Sequence, residues 1–191
     1  NMMFSHKPQL VSWIKQVVLR AKAQGKTLIS FSHYPMVEFY QGQSQRIGEL
    51  LGPEQGQLSR TPTTETSEAL AALGLRLHFG GHMHLNNTAV VQAANGERLI
   101  NVQSPSLAAY VPAYKLLTLL SSSQVSVQTV TLKEVPGFNR FFPIYQQEWQ
   151  QAGLEKPWDA RILKARNYRE FSEGHLTELT RQRFLPKDWP A

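Results

Sequence analysis

The 191-residue chain has no cysteine and no long apolar run, and its only aspartates are Asp159 and Asp188. Without cysteine, disulfides and thiolate metal sites are excluded, and the redox compartment is unreadable, so cytoplasm and periplasm stay equally open. No stretch reaches the eighteen or so consecutive apolar residues of a membrane-spanning helix, and the opening residues, Asn1 to Lys7, lack the charged start and apolar middle of a signal peptide. Both aspartates lie near the C-terminus, so the histidine-bearing segments described below have no aspartate beside them.

What is present is ordinary for a globular protein. With 41% hydrophobic and 10% aromatic residues the chain can bury a core, and its length fits one domain plus an appendage. The net charge of +6 and pI near 9.7 favour an anionic partner. The lysines and arginines are scattered along the chain rather than clustered, so a nucleic-acid partner is not expected, and a general pull on phosphorylated substrates is what the charge supports.

Periodicity predicts a first helix. Leu10, Val11, Trp13, Ile14, Val17, Val18 and Ala21 recur at helical spacing, and Gly25 stands where a helix-ending glycine belongs. Thr27 to Ser32 is short, β-prone and apolar on both faces, as a central parallel strand is, and it delivers His33 into the next loop. Residues 37–64 are polar and rich in Gly, Gln and Pro, with one helical turn expected around Gln45–Leu51; a loop of that length reads as functional or as a lid. A second helix is predicted over Glu65–Leu73, capped by Thr63 or Thr64 and ended by Gly74, followed by a strand from Leu75 to Phe79. Strand, helix, strand at this spacing predicts a βαβ unit with two parallel strands.

Beyond Leu85 the pattern predicts an antiparallel meander. Thr88–Gln92 and Arg98–Val102 flank Asn95-Gly96, and Leu116–Leu120 and Val125–Leu132 flank a run of serines. After Pro136-Gly137 the chain turns helical and aromatic, with three of its four tryptophans, and this tail must cover apolar surface. Arg161, Lys164, Arg166 and Arg169 fit the solvated face of an amphipathic helix.

Two short segments carry the chemistry: Ser32-His33-Tyr34-Pro35 and Gly80-Gly81-His82-Met83-His84, each directly after a predicted buried strand. In an open α/β sheet, ligands and metals collect at the carboxyl ends of the strands. His33 alone reads as a hydrogen-bonded strand-end histidine. Joined by His-x-His after two glycines on the same sheet edge, it reads as a metal ligand with His82 and His84. Alternate positions of an extended segment would point the His82 and His84 rings to one side, and Gly80 and Gly81 would allow close approach and unusual dihedrals. His78, inside a strand, reads as a partnered core residue, and His6 and His175 as solvated. Ser104-Pro105-Ser106 reads as a turn, with a place in a cleft as the sharper alternative. Tyr34 reads as aromatic packing, with stacking on a substrate base as its alternative.

An apolar-Ser-His-Tyr-Pro segment, followed about fifty residues later by a strand and Gly-His-Met-His, resembles the last two motifs of the calcineurin-like metallophosphoesterases. The resemblance covers residues from about 5 to 132 and leaves out the tail. It implies an α/β fold class, the C-terminal half of an αββα sandwich built as a βαβ unit and an antiparallel meander, with residues 1–135 as that half-domain and 136–191 as a helical extension. It also implies a phosphoric ester hydrolase acting on phosphate mono- or diesters with two divalent ions (Mn, Fe, Zn or Ni), His33 and His82 binding one and His84 the other.

The family pattern opens with Asp-x-His, Gly-Asp-x-x-Asp and Gly-Asn-His motifs, and none occurs in this sequence. These supply the bridging aspartate, the asparagine ligand and the histidine that protonates the leaving group. The resemblance therefore places no catalytic residue in this chain, leaves its substrate-binding residues unknown, and implies that the fragment alone is inactive and binds metal weakly until joined to an N-terminal half. The alternative is a non-catalytic binding or assembly module that keeps the half-fold. Both readings predict exposed apolar surface, an unpaired strand edge and self-association.

Overall fold

The computed structural model describes residues 7–38, 42–52, 62–153 and 158–183. Its architecture is mixed α/β, with a small four-stranded sheet, a separate two-stranded sheet, and a C-terminal helical region rich in aromatic side chains. The chain divides into two compact units. One comprises Asn1–Ser104 with Leu117–Gln128, and the other Pro105–Leu116 with Thr129–Ala191.

In the first unit, α1 (Pro8–Ala23) opens on a proline at its first position, where a missing N–H costs nothing. It ends in a turn in which Gly25 N–H donates to Lys22 O and Lys26 N–H to Ala21 O, at 3.1 and 2.9 Å. Helix α2 (Gln43–Leu51) lies where one helical turn is expected around Gln45–Leu51 and is longer than that turn; residues 39–41 and 53–61 of the same polar stretch lie outside the described residues. Helix α3 (Thr64–Ala72) starts where Thr63 Oγ1 accepts from Thr66 N–H at 3.3 Å. At its end Gly74 N–H donates to Ala71 O and Leu75 N–H to Leu70 O, at 2.8 and 3.3 Å, with Gly74 at φ +94°. This closing motif needs a left-handed residue, and it draws Leu75 into the helix terminus. Strand β2 consequently spans Leu77–Gly80 and begins later than its apolar run suggested.

Strand β1 is only Ser30–Phe31, and it pairs in parallel with β2, Ser30 opposite His78 and Phe31 opposite Phe79. The parallel pair agrees with the expected βαβ unit. The expected central position of the first strand does not: the sheet order is β1-β2-β4-β3, with β3 at Asn87–Gln92 and β4 at Arg98–Gln103, so β1 is an edge. The expected continuous meander is also corrected. Strands β3 and β4 form an antiparallel hairpin through a five-residue connection in which Ala93 N–H donates to Glu97 O at 2.9 Å. Strand β4, however, inserts beside β2 in parallel, and β5 (Ala113–Leu119) pairs only with β6 (Val125–Thr131) in a sheet of their own.

The register fixes what each sheet face carries. Strand alternation puts Ser30, His78, Asn101 and Ala89 in one row of the helix-covered face, and Leu99 and Val91 in another. Leu99 and Ala89 join Ile14 and Val18 of α1 and Leu70 and Ala71 of α3 in the buried core. The opposite face carries Phe31, Phe79 and Val102 in one row and Leu77, Ile100 and Val90 in the next. Phe31 is 70% exposed, Val90 57% and Ile100 40%. Phe79 and Val102 on the same face are buried, so it is covered in part and open at Phe31, Val90 and Ile100.

The second unit contains a 3₁₀ turn at Phe138–Phe141, helix α4 (Phe142–Gln151), a 3₁₀ turn at Ala160–Lys164 capped by Asp159, and helix α5 (Tyr168–Arg183). Asp159 accepts from Arg161 N–H at 2.8 Å and pairs with its guanidinium, whereas Asp188 lies outside the described residues. The aromatic rings of the tail pack chiefly on one another. Phe138 meets Tyr168 and Phe171 edge-on, both with centroids 4.7 Å away, and Tyr145 stacks on Phe171 at 5.8 Å.

Candidate functional site

Because β1 and β2 are parallel neighbours, the loops that leave their carboxyl ends emerge together, and each starts with its histidine motif. Ser32 N–H donates to Phe79 O at 3.2 Å and Gly81 N–H donates to His33 O at 2.9 Å, so the ladder continues past the strands into the loops themselves. Two side chains consequently meet. His33 Nε2 lies 3.1 Å from His82 Nδ1, and the rings cross at 74°. Tyr34 stands edge-on to both, its centroid 4.6 Å from His82 and 5.0 Å from His33, which is the packing role rather than an open stacking face.

The glycines and histidines divide the strain in an unexpected way. A Cβ on Gly80 would stand 3.1 Å from Pro35 Cα and 3.4 Å from Pro35 N, backbone atoms that cannot swing aside, so the close approach of the two loops requires glycine there. The unusual dihedrals, by contrast, belong to the histidines: His82 has φ +66° and His84 φ +55°. Left-handed backbone at a non-glycine residue costs about 1–2 kcal/mol, and such residues gather at functional sites. The segment is therefore not extended, and strand alternation does not set the direction of its rings. His84 is exposed, and among the described residues no hydrogen bond or ring contact joins it to His33 or His82.

Beneath this pair lies a buried polar layer. His78 is fully buried, with Nδ1 3.0 Å from Ser30 Oγ and Nε2 3.0 Å from Ser32 Oγ. Ser32 Oγ also donates to Tyr34 O at 2.6 Å, and Ser30 Oγ donates to Leu77 O at 3.0 Å. Each hydroxyl has one proton to give. In these bonds both protons go to carbonyl oxygens, which leaves the lone pairs of both serine oxygens facing the ring nitrogens. Burial pushes the His78 pKa down to about 4, against a smaller opposing effect of a hydrogen bond to the Tyr34 backbone. Asn101 Oδ1 accepts from Met36 N–H at 2.9 Å, and Gln103 Nε2 donates to Gly81 O. Among the described residues, Asn101 Nδ2 and Gln103 Oε1 are buried without a partner. Periodicity marked His78 as a core residue, but nothing in it identified Ser30, Ser32, Asn101 and Gln103 as the supports of the histidine loops, because those pairings join residues 22–65 positions apart.

The pair suits a metal in part. Two nitrogens about 2.0–2.1 Å from one ion stand roughly 3.0–3.4 Å apart at ordinary coordination angles, so the His33–His82 separation fits a shared ion as well as it fits a hydrogen bond. Imidazole nitrogens suit Zn, Fe, Mn or Ni, but a binuclear centre also needs carboxylates. Among the described residues no group of three or more His, Asp or Glu comes together. The described residues thus bring the two imidazoles of His33 and His82 together without a third such group. His175 is exposed and stacks on Phe171, and His6 lies outside the described residues. Ser106 belongs to a turn, its Oγ accepting from Ala108 N–H at 3.1 Å. No helix among the described residues is long and apolar enough to cross a membrane. A scan against models of protein families and a search of curated proteins both find no match.

Proposed function

We propose that this chain is the C-terminal part of a calcineurin-like metallophosphoesterase domain, which hydrolyses phosphate mono- or diesters and contributes His33, His82 and His84 to a two-metal centre. The observation that carries the reading is the 3.1 Å approach of His33 Nε2 to His82 Nδ1 at the carboxyl ends of adjacent parallel strands. Two divalent ions in such a centre hold a phosphoryl group and activate water near neutral pH. Within this chain, the Tyr34 ring and the Gly80 crossing hold the two loops in register, and the His78 layer fixes them from below. The bridging carboxylate, the asparagine ligand and the leaving-group acid come from a segment preceding this one. The open face carrying Phe31, Ile100 and Val90 supports the same reading, since an αββα sandwich lays a second sheet on such a face.

The test is manganese-dependent hydrolysis of bis-p-nitrophenyl phosphate by this chain alone and by a protein extended with the sequence encoded upstream. Turnover by the extended protein alone, lost in His82→Ala, is the expected result; an inert extended protein overturns the proposal.

A second reading rests on the exposed edge of β1. An unpaired strand carrying a ring that is 70% exposed is a pairing surface, as in a non-catalytic assembly module that retains the half-fold. Inertness of the extended protein together with concentration-dependent self-association of this chain would favour it.

A further inference from the structure

The aromatic second unit contains a cavity of about 460 Å³, within the usual range of small-molecule sites. Phe138, Tyr145, Trp158, Tyr168 and Phe171 line it. Four of these rings contact one another, whereas Trp158 has no ring partner among the described residues and is tied down through its backbone, whose carbonyl accepts from Trp149 Nε1–H at 2.7 Å. The charged lining is one-sided. In a chain of net charge +6, no lysine or arginine lines this cavity, while the carboxylates of Glu148 and Glu178 do. Basic residues do line the unit's other hollows, Arg161 and Lys164 in one and Arg166 in another, so their exclusion here is local. Glu178 is 8% exposed and is held by Arg181 Nη2–H at 2.7 Å, while Glu148 is exposed and forms no ion pair with a lysine or arginine among the described residues.

We propose that this cavity is a binding site for an organic cation, an ammonium group carried on an apolar or aromatic body. Aromatic faces attract a cation through their ring quadrupoles, tryptophan most strongly, and a carboxylate at the rim adds charge complementarity. Trp158 supplies the strongest face, the rings of Tyr145 and Phe171 supply the walls that take the apolar body, and Glu148 faces the ammonium group. An anion of the same size meets two carboxylates and no lysine or arginine in the lining, where His175 is the one side chain able to take a proton to become positive. The site is independent of the histidine pair, so it stands or falls without the phosphoesterase reading.

The test is calorimetric titration of the full chain with benzyltrimethylammonium, benzyl alcohol and benzenesulfonate, with tryptophan fluorescence as a second readout. The cation is expected to bind at least about fivefold more tightly than the neutral compound, and the sulfonate not at all. Glu148→Gln, an exposed substitution, and Trp158→Ala, checked for folding by circular dichroism, are each expected to weaken the cation about fivefold. If Trp158→Ala does not fold, Trp158→Leu with Glu148→Gln decides. Equal binding of the three compounds, or unchanged affinity in Glu148→Gln, overturns the proposal.

Discussion

The imidazole of His78 bridges two serines of the neighbouring strand end, with Ser30 Oγ 3.0 Å from Nδ1 and Ser32 Oγ 3.0 Å from Nε2. Ser32 directly precedes His33, so a buried residue on β2 sets where the exposed histidine of the first loop begins. Burial favours the neutral ring. Protonation would put a full positive charge in a buried site, where among the described residues no carboxylate is hydrogen-bonded to the ring.

A pH dependence follows from that bridge. The unfolded chain binds this proton below about pH 6.5, while the folded chain resists it until about pH 4, so the unfolded state holds more protons between them. The contribution of His78 is complete above pH 6.5 and is lost as the pH falls from there to about 4, amounting to roughly 3 kcal/mol. Urea unfolding at a series of pH values should show this loss in the natural protein and not in His78→Gln. Parallel pH curves for the two proteins would contradict it.

His84 should be replaceable with a gain in stability. Its left-handed backbone costs about 1–2 kcal/mol, and glycine removes that at an entropic cost of about 0.5–1 kcal/mol. His84→Gly is therefore expected to raise the unfolding free energy by roughly 0.5–1 kcal/mol in denaturant titration. A loss of stability would mean that the exposed side chain holds its loop, and that the φ of +55° is not a retained strain.

Phe31 is expected to drive self-association. It sits on the edge strand with 70% of its surface exposed, stacked on Phe79 at 5.5 Å. A lysine there blunts both the apolar patch and the strand edge. Light scattering should find the natural chain associating as concentration rises and Phe31→Lys shifted toward monomer; a monodisperse natural chain would refute the role of this edge.

Local signals in the sequence were sufficient where the structure is local. Gly25 and Gly74 end their helices, Thr63 caps α3, and Asn95-Gly96 sits in the β3–β4 turn, because each depends on a few consecutive residues. The meeting of His33 and His82 was also legible, since a βαβ unit brings both strand ends to one side. The insertion of β4 beside β2 was not, because parallel pairing of Leu77 with Ile100 leaves no mark in either segment alone. The same holds for β1, whose apolar pattern matched a central strand although it has a neighbour on one side only. The positive φ of His82 and His84 was equally invisible, since the glycines before them were the natural carriers of such dihedrals.

The central claim is that His33, His82 and His84 are metal ligands within a larger centre. Metal content by plasma mass spectrometry tests it most directly, on the protein extended with its upstream sequence and on its His33→Ala, His82→Ala and His84→Ala variants. The account predicts about two divalent ions per extended chain and a loss in each variant. An extended protein without metal, or one whose content is unchanged by all three substitutions, would contradict it.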